Sequence, residues 1–490
     1  MRRNTITLMI YEIAIYLAPL ITAPYIARVL GPYGTGVYSY TYSIAAYFIL
    51  FIQLGVSLYG RREIAAQNDK ETINRTFWGI FASTSIMFFL VSLLYFVSIF
   101  IFLDDYKIPM LCQYLLLISA WLDISWLFFG LEKFKVAVTR SLIVKFLSLI
   151  LIFTFIKTST DITKYIIIMG ASNLLSVMVM WVTLKKYIGK SKISFSDIKV
   201  HYKNLFVLFI PILAVQLYSI TDKVCLGILN SVDSVGIYEI VYKISRVPIS
   251  MITAIGTVML PRTTKLISKG KNEEALIYID KSLSITLILA IGCTFGLISI
   301  SEPFVKIYLG SEFMAGAPIL RLLSLVLIII AWGNVFRMQY ILPNKMDKLY
   351  LKSVVSAAVI NIILNIILIP ILGGVGAAIA SVISEFIICV YQSFKIRNSF
   401  NLKRLLYKNL KYFVAGIVMC ITVTYFGKIL SINQFINLLI QILIGVVSYM
   451  IMLIILELKS DEKVFTNEVN LVIRKICNFM SKNNNNKLKN

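Results

Sequence analysis

The sequence predicts an all-α polytopic membrane protein with about fourteen transmembrane helices. Of its 490 residues, 59% are hydrophobic and only 15% are charged, and the mean hydropathy is +0.84. Apolar runs of about 20 residues, the length that crosses a hydrocarbon core, recur about fourteen times. The connections between them are too short for a sizeable soluble domain, which excludes an enzyme that needs an aqueous catalytic fold of its own.

The predicted spans follow one another along the chain, each an apolar run bounded by polar or charged residues. They cover residues 8–29, 37–58, 77–102, 109–130, 138–157, 164–184, 204–229, 236–260, 281–301, 316–340, 351–370, 375–396, 412–428 and 434–457. The first span lacks a small-residue cleavage site, so we expect it to be a membrane helix rather than a removed signal peptide.

The positive charges predict the orientation of these spans. The net charge of +24 suggests nucleic-acid binding until the cations are located along the chain. The amino terminus and every second connection after it hold 36 of the 48 Lys and Arg residues, whereas the opposite connections hold five. This asymmetry predicts that both termini lie in the cytoplasm and that the number of spans is even. It indicates contact with membrane lipids and no nucleic acid.

An internal repeat relates two parts of the chain. The pattern G-[VI]-Y-x-x-x-Y-x-I occurs at residues 36–44 and again at 236–244, an offset of 200 residues. Each copy opens the second span of a six-span block. Since six is even, both blocks begin in the cytoplasm, which predicts a parallel pseudo-two-fold along the membrane normal. The predicted organisation is a six-helix lobe over 1–200, a second over 201–400, two additional helices over 401–460 and a basic cytoplasmic tail over 461–490.

Seven cations fall inside predicted spans, where each would cost about 2.5–3.5 kcal/mol at the bilayer centre. They are Arg28, Lys145, Lys223, Lys243, Arg246, Arg321 and Arg337. Lys243 and Arg246 share one helical stripe with Glu239, which pairs only part of their charge. We expect these cations to line a water-filled lumen between the lobes that binds an anionic cargo such as phosphate or pyrophosphate. For Arg28, Arg321 and Arg337, near span ends, snorkelling to the headgroups is the alternative.

Five acids are also embedded and are candidates for coupling transport to an ion gradient. They are Glu12, Asp123, Asp222, Glu239 and Glu385. Glu385 has no basic residue within four positions, and a buried carboxyl without such a neighbour favours its neutral form, so it is predicted to carry a proton. The alternative for Glu385 is a neutral carboxyl that hydrogen-bonds a neighbouring helix.

Neither a cofactor nor a metal site is predicted. The six cysteines are scattered without a C-x-x-C motif, and the single histidine, His201, lies in a basic cytoplasmic connection. One histidine in that connection cannot serve acids at membrane depth, so no catalytic residue is assigned.

Two stretches resemble a known family. One runs from Ala27 to Tyr38 (ARVLGPYGTGVY) and continues to Leu54-Gly55 and to 61–65 (RREIA); the other is 121–134 (WLDISWLFFGLEKF). They are similar to bacterial oligosaccharide flippases of the Wzx type, in the polysaccharide branch of the multidrug/oligosaccharidyl-lipid/polysaccharide exporter superfamily. Arg28 and Asp123 lie inside the matching stretches.

The resemblance implies a V-shaped pair of lobes that moves an undecaprenyl-diphosphate-linked oligosaccharide from the inner to the outer leaflet by alternating access. It implies a proton or sodium gradient as the driving force, and a role in capsule, O-antigen or exopolysaccharide synthesis with a polysaccharide polymerase as a partner. The resemblance also suggests that the last two spans extend a groove for the lipid tail.

Two alternatives stay open at this stage. A multidrug exporter of the same superfamily would share the repeat, but its lumen should be dominated by acids. A membrane polysaccharide polymerase or ligase would act on the same lipid-linked sugars, but it needs a substantial outer loop, and the longest outer connection here is about 302–315.

Overall fold

The computed structural model describes residues 2–102, 104–430, 432–458 and 464–466, with the side chains of 2–19, 102, 104, 134–140, 211, 214, 215 and 217–219 left undescribed. Within these ranges the chain is helical, and no β-strand occurs. Fifteen α-helices follow one another. They are α1 Arg2–Gln53, α2 Val56–Ala66, α3 Lys70–Phe102, α4 Lys107–Trp121, α5 Ser125–Gly130, α6 Phe134–Phe155, α7 Ile162–Leu184, α8 Phe195–Leu229, α9 Val232–Ser268, α10 Asn272–Tyr308, α11 Gly316–Phe336, α12 Asp347–Leu372, α13 Gly374–Ile396, α14 Leu402–Ile429 and α15 Gln434–Leu458.

The predicted membrane spans coincide with these helices. In the described part of the chain, 11 helices are long and apolar enough to cross a membrane, and α6 adds a shorter apolar stretch, Ser141–Phe155. The helix α1 covers the first predicted span and most of the second, and α8 covers the seventh. The protein is a multi-pass membrane protein, and the predicted all-helical fold is confirmed.

The helical path breaks at Gly31, between the first two predicted spans, and again inside the predicted span 109–130. The helix α1 changes direction at Gly31, which has φ 66° and ψ −176°, a conformation that glycine adopts without a steric penalty. The predicted span 109–130 is not one helix, because α4 ends at Trp121 and α5 begins only at Ser125. The apolar run continues through this break, so hydrophobicity alone could not reveal it.

The chain divides into two compact units. Unit 1 comprises residues Met1–Ile244, Leu309–Gly316 and Ala358–Ala380, and unit 2 comprises Ser245–Tyr308, Ala317–Ala357 and Ser381–Asn490. The predicted lobe boundaries at residues 200 and 400 stay a prediction.

In unit 1, α2, α3 and α5 pack around an aromatic core. Gly60 of α2 lies against the Trp126 ring, where an added Cβ would come within 2.4 Å of a ring carbon. Trp126 in turn stacks on the buried ring of Phe77, with 5.5 Å between ring centroids. The small residue therefore permits a close helix approach, as is common in membrane proteins.

In unit 2, the last two helices pack against α10. Gly416 of α14 lies against Phe295, and Gly292 lies against Tyr449 of α15. The Tyr449 hydroxyl donates to the Ile288 carbonyl at 2.7 Å. The helices α14 and α15 are thus held against α10 by glycine contacts, by this part-buried hydrogen bond and by the ion pair between Lys408 and Asp280, 2.9 Å apart.

The two copies of the repeat motif adopt the same local geometry, and both lie in unit 1. Tyr38 stacks on Tyr42 with centroids 5.8 Å apart and planes at 23°, and Tyr238 stacks on Tyr242 at 5.9 Å and 21°. The motif glycines face each other's helix: a Cβ on Gly36 would lie 1.9 Å from the Val232 carbonyl oxygen, and one on Gly236 would lie 2.2 Å from that of Pro32. The reciprocal contacts are offset by 200 residues, as the repeat requires.

Candidate functional site in unit 1

A buried cluster of two lysines and one glutamate joins α8 and α9. Glu239 and Lys243 are one turn apart on α9, with Lys243 Nζ 3.2 Å from Glu239 Oε1. Lys223 reaches across from α8, with its Nζ 3.1 Å from Glu239 Oε2. We call these three residues the cationic cluster. Its formal charge is one positive unit, because one carboxylate faces two ammonium groups.

The net positive charge of the cationic cluster is unfavourable because two of the three side chains are buried. The side chains of Lys223 and Glu239 are 10% and 9% exposed, whereas that of Lys243 is 40% exposed. In such surroundings an ion is tolerated only when it is paired, and one of the two lysines is paired incompletely. Lys243, the accessible member, can therefore contact an anion that enters from outside the cluster.

Tyrosines surround the cationic cluster. Lys223 Nζ lies 5.9 Å from the centroid of the Tyr242 ring, a cation–π distance. The hydroxyls of Tyr42 and Tyr165 interact electrostatically with Glu239 and Lys243. The helix α1 is held beside α8 by the hydrogen bond between Tyr47 and Thr221, 2.9 Å long. Residues of α1, which carries the first copy of the repeat motif, therefore lie beside a cluster whose charges come from α8 and α9.

A second polar group adjoins the cluster in sequence and centres on Asp222. Its Oδ2 accepts from the Tyr238 hydroxyl at 2.8 Å, and its Oδ1 accepts from Asn365 Nδ2 at 2.6 Å. Asn365 Nδ2 also lies 3.1 Å from Asn361 Oδ1. All four residues are buried, and the Asn365 Oδ1 atom finds no hydrogen-bond partner among the described residues. Carboxylate and amide oxygens are ligands that hard cations favour, so this group could hold a small cation or a proton.

A polar cavity of about 330 Å³ lies elsewhere in unit 1 and is named here the α4–α5 pocket. It is lined from α1, α4, α5, α6 and α7, and Asp123 sits at the helix break. Asp123 Oδ1 accepts from the Ser125 backbone N–H at 2.8 Å. Its polar lining includes Gln53, Ser119, Asp123, Ser125, Asn173 and Ser176.

Two further predicted cations, Arg321 and Arg337, have partners of their own. Arg321 pairs with Glu302 at 3.3 Å and donates to Ser301 at 2.6 Å, an exposed arrangement that fits the alternative reading at a span end. Arg337 donates to Asn334 at 2.8 Å in the π-helical segment Arg337–Ile341. Both belong to unit 2.

The remaining predicted residues differ in how far their side chains are exposed. Arg28 is exposed, whereas Lys145, Arg246 and Glu385 are half-buried. Glu12 lies in α1, among the residues whose side chains fall outside the description. The structure thus brings together Lys223, Glu239 and Lys243. The roles of all the predicted residues in binding or coupling stay predictions.

Several residues of the site were not predicted. Asn361 and Asn365 are uncharged and lie more than 130 residues from Asp222 in sequence, and the serines of the pocket are ordinary residues in membrane helices. Tyr238 and Tyr42 stand in the repeat motif, which was the one available signal for them. Among the described residues, no group of three or more His, Cys, Asp or Glu could hold a metal ion.

Comparison with known proteins agrees with this architecture. A family model described as "Polysaccharide biosynthesis protein" matches residues 1–267. The chain is 26% identical over 407 residues to the "Putative O-antigen transporter" of Escherichia coli (strain K12), covering 81% of this chain and 97% of that protein. It is 26% identical over 298 residues to the "Probable low-salt glycan biosynthesis flippase Agl15" of Haloferax volcanii, covering 58% and 61%.

Two solved structures have the same fold. One is the lipid II flippase MurJ in an inward closed conformation, with a TM-score of 0.70 and 20% identity, covering 91% of this chain and 98% of that one. The other is an inward-facing multidrug resistance MATE family transporter of the MOP superfamily, with a TM-score of 0.53 and 14% identity, covering 79% and 98%. Since the family model spans more than half of the chain, the protein belongs to the polysaccharide biosynthesis protein family.

Proposed function

We propose that the protein is a flippase that moves undecaprenyl-diphosphate-linked oligosaccharide from the cytoplasmic to the outer leaflet of the bacterial plasma membrane. The observation that carries the proposal is the buried cationic cluster with its accessible Lys243. The names of the relatives, an O-antigen transporter and a glycan biosynthesis flippase, support transport rather than catalysis.

The cationic cluster suits a diphosphate because one of its positive charges has no matching negative charge within the cluster. Without cargo, Glu239 compensates half of the charge of the two lysines. A diphosphate that approaches Lys243 supplies the missing negative charge, and its oxygens accept hydrogen bonds from ammonium and tyrosine hydroxyl groups. The polyprenyl chain stays in the lipid, where it needs no polar partner.

The group around Asp222 is our candidate for the coupling ion, either a proton or sodium. Glu239 is less suited, because two lysines already neutralise it. Asp222 instead receives hydrogen bonds from neutral donors, and the neighbouring Asn365 Oδ1 offers an unused oxygen. Adjacent positions 222 and 223 would then link the ion to the cargo, since Lys223 belongs to the cationic cluster.

The proposal extends to orientation and partners. Both termini lie in the cytoplasm, as the distribution of Lys and Arg predicts. A polysaccharide polymerase on the outer side would consume the translocated repeat units.

The test is translocation of a polyprenyl-diphosphate oligosaccharide in proteoliposomes, read by the accessibility of the sugar to an added lectin, with and without a pH or sodium gradient. We expect protein-dependent translocation that Lys243→Gln lowers at least about tenfold, the cost of one charge-assisted contact. The matched control is Lys306→Gln, an exposed lysine outside the cluster, which should leave the rate unchanged.

Three results would contradict the proposal or the observation that carries it. Translocation that is equally fast without the protein would exclude a flippase, and export of a cationic dye in place of the lipid would favour a multidrug exporter. A Lys243→Gln variant that translocates at the normal rate would remove the cationic cluster from the mechanism.

A further inference from the structure

The α4–α5 pocket exists because a membrane helix is interrupted at its wall. The helix α4 has 15 residues, so the break lies about 22 Å from its outer end. The predicted topology places this break in the cytoplasmic half of the membrane. Irregular backbone at this depth is tolerated where it is buried in protein or lines a polar cavity. The Leu122 carbonyl accepts from Trp181 Nε1 at 2.8 Å, and the Asp123 carboxylate caps Ser125, so the break is supported from two sides.

The lining of the pocket is rich in groups that both donate and accept hydrogen bonds. Hydroxyls come from Ser119, Ser125 and Ser176, and an amide comes from Asn173. Asn173 uses one amide hydrogen on the Met169 carbonyl of its own helix and is otherwise exposed. Among the described lining residues none is Lys or Arg, and one is a carboxylate. Such a surface repels phosphate but matches the alternating donors and acceptors of a sugar.

Size and aromatic content agree with a single sugar unit. The volume of about 330 Å³ lies at the lower end of small-molecule pockets, about 300–1,000 Å³. Phe129 and Tyr42 also line the cavity and offer ring faces to the apolar C–H surface of a pyranose. A whole oligosaccharide is too large for this space, whereas one ring fits.

Tyr42 connects the pocket to the cationic cluster. It lines the cavity, and its hydroxyl interacts electrostatically with Glu239 and Lys243. Both sites therefore lie within reach of one molecule that carries a diphosphate next to a sugar.

We infer that the α4–α5 pocket binds the first sugar of the cargo, the one attached directly to the diphosphate, and that Asp123, Ser119 and Asn173 select it. This inference rests on the proposed function, because it assumes that a diphosphate occupies the cationic cluster. It assigns Asp123 to cargo recognition in place of ion coupling.

The experiment measures binding of two lipids to the full chain: undecaprenyl diphosphate, and the same lipid carrying one N-acetylhexosamine. Asn173→Ala and Ser119→Ala should each weaken binding of the sugar-bearing lipid about threefold to tenfold, the loss of one neutral hydrogen bond, and Asp123→Asn somewhat more. Binding of the sugarless lipid should not change, which also shows that each variant is folded. Asn344→Ala is the matched control, since Asn344 makes the same bond to a carbonyl one turn back, outside the pocket.

The outcomes separate this inference from the proposed function. If the pocket variants bind both lipids like the parent protein while Lys243→Gln weakens both, the inference is overturned and the flippase proposal stands. If Lys243→Gln affects neither lipid, the proposed function fails at its cationic cluster. If Asp123→Asn alters the gradient dependence of transport equally for several first sugars, Asp123 is a coupling residue and the pocket assignment is wrong.

Discussion

The two copies of the repeat motif have nearly the same geometry but different chemistry. The tyrosine pairs 38/42 and 238/242 stack at almost equal distances and angles. Where the second copy has Glu239 and Lys243, the first has Ser39 and Ser43, buried serines without charge. Earlier in the sequence the charge again accompanies only the second copy, because Lys223 corresponds by the offset of 200 residues to the uncharged Ala23.

The comparison shows that two copies with the same helix packing carry a charged site in only one of them. The glycine and tyrosine positions determine helix approach and stacking, and both copies keep them. The charges are added to one copy only, so a single cationic cluster forms instead of two. In the first copy, the Ser43 hydroxyl donates to the Ser39 carbonyl at 2.7 Å and needs no partner from another helix.

The largest expected effect comes from removing the shared anion of the second copy. Glu239→Gln leaves two lysines without their carboxylate and should lower the free energy of unfolding by about 3 kcal/mol or more. The equivalent change in the first copy, Ser39→Ala, should cost less than about 1 kcal/mol. Thermal unfolding in detergent measures both, and equal losses would show that the charges do not distinguish the copies.

A smaller and symmetric effect is expected at the motif glycines. Gly36→Ala and Gly236→Ala each place a methyl group against a backbone carbonyl of the other copy, so each should cost about 1–3 kcal/mol. Gly296→Ala is the control, because the nearest atom to its added Cβ is 4.0 Å away. Unequal losses at positions 36 and 236 would contradict the reciprocal contact.

The stacked tyrosines differ between the copies in what their hydroxyl groups bind, and this difference can be tested. Tyr238→Phe removes a hydroxyl that donates to the Asp222 carboxylate, and hydrogen bonds to charged groups contribute about 1.5–3 kcal/mol; part of that loss should be recovered by water, leaving about 1 kcal/mol. Tyr38→Phe in the first copy removes no bond to a carboxylate and should be nearly neutral. The same variants, assayed for gradient-driven transport, should differ in ion dependence only at position 238.

The smallest expected effect is a pH dependence of the free energy of unfolding caused by His201, which precedes the second copy of the repeat motif in sequence. His201 precedes the predicted span 204–229, and burial lowers its pKa from 6.5, although Asp197 opposes the shift. The Tyr59 hydroxyl lies 2.8 Å from its Nδ1, and Gly79 packs against its Nε2. Because the unfolded chain binds the proton more readily, stability is full above pH 6.5 and declines as the pH falls below it.

The measurement for this prediction is the melting temperature between pH 8 and pH 5. His201→Gln should flatten the decline. Asp197 does not contribute in this window, since the Arg75 guanidinium and the Ser194 backbone amide lower its pKa to about 2. A decline that persists in His201→Gln would assign it to other groups.

Much of the fold could be predicted because the membrane imposes simple rules. A span must be apolar and helical, so the predicted runs coincide with helices, and the repeat motif pointed to the tyrosines that stack. The pairing of Glu239 with Lys243 is local, one helical turn apart, and spacing alone suggests it. Its second partner, Lys223, is on another helix, and no pattern within α9 could identify it.

The amino-acid sequence is thus enough to predict the helical membrane class, the orientation suggested by 36 cations on one side, and the presence of embedded charges that need partners. Helix packing in three dimensions determines which charges meet, that Asn361 and Asn365 accompany Asp222, and that the run 109–130 breaks to form a polar pocket. The difference arises from distance along the chain. Hydrophobicity and helical spacing act over a few residues, whereas a buried polar group takes its partners from whichever helix packs beside it.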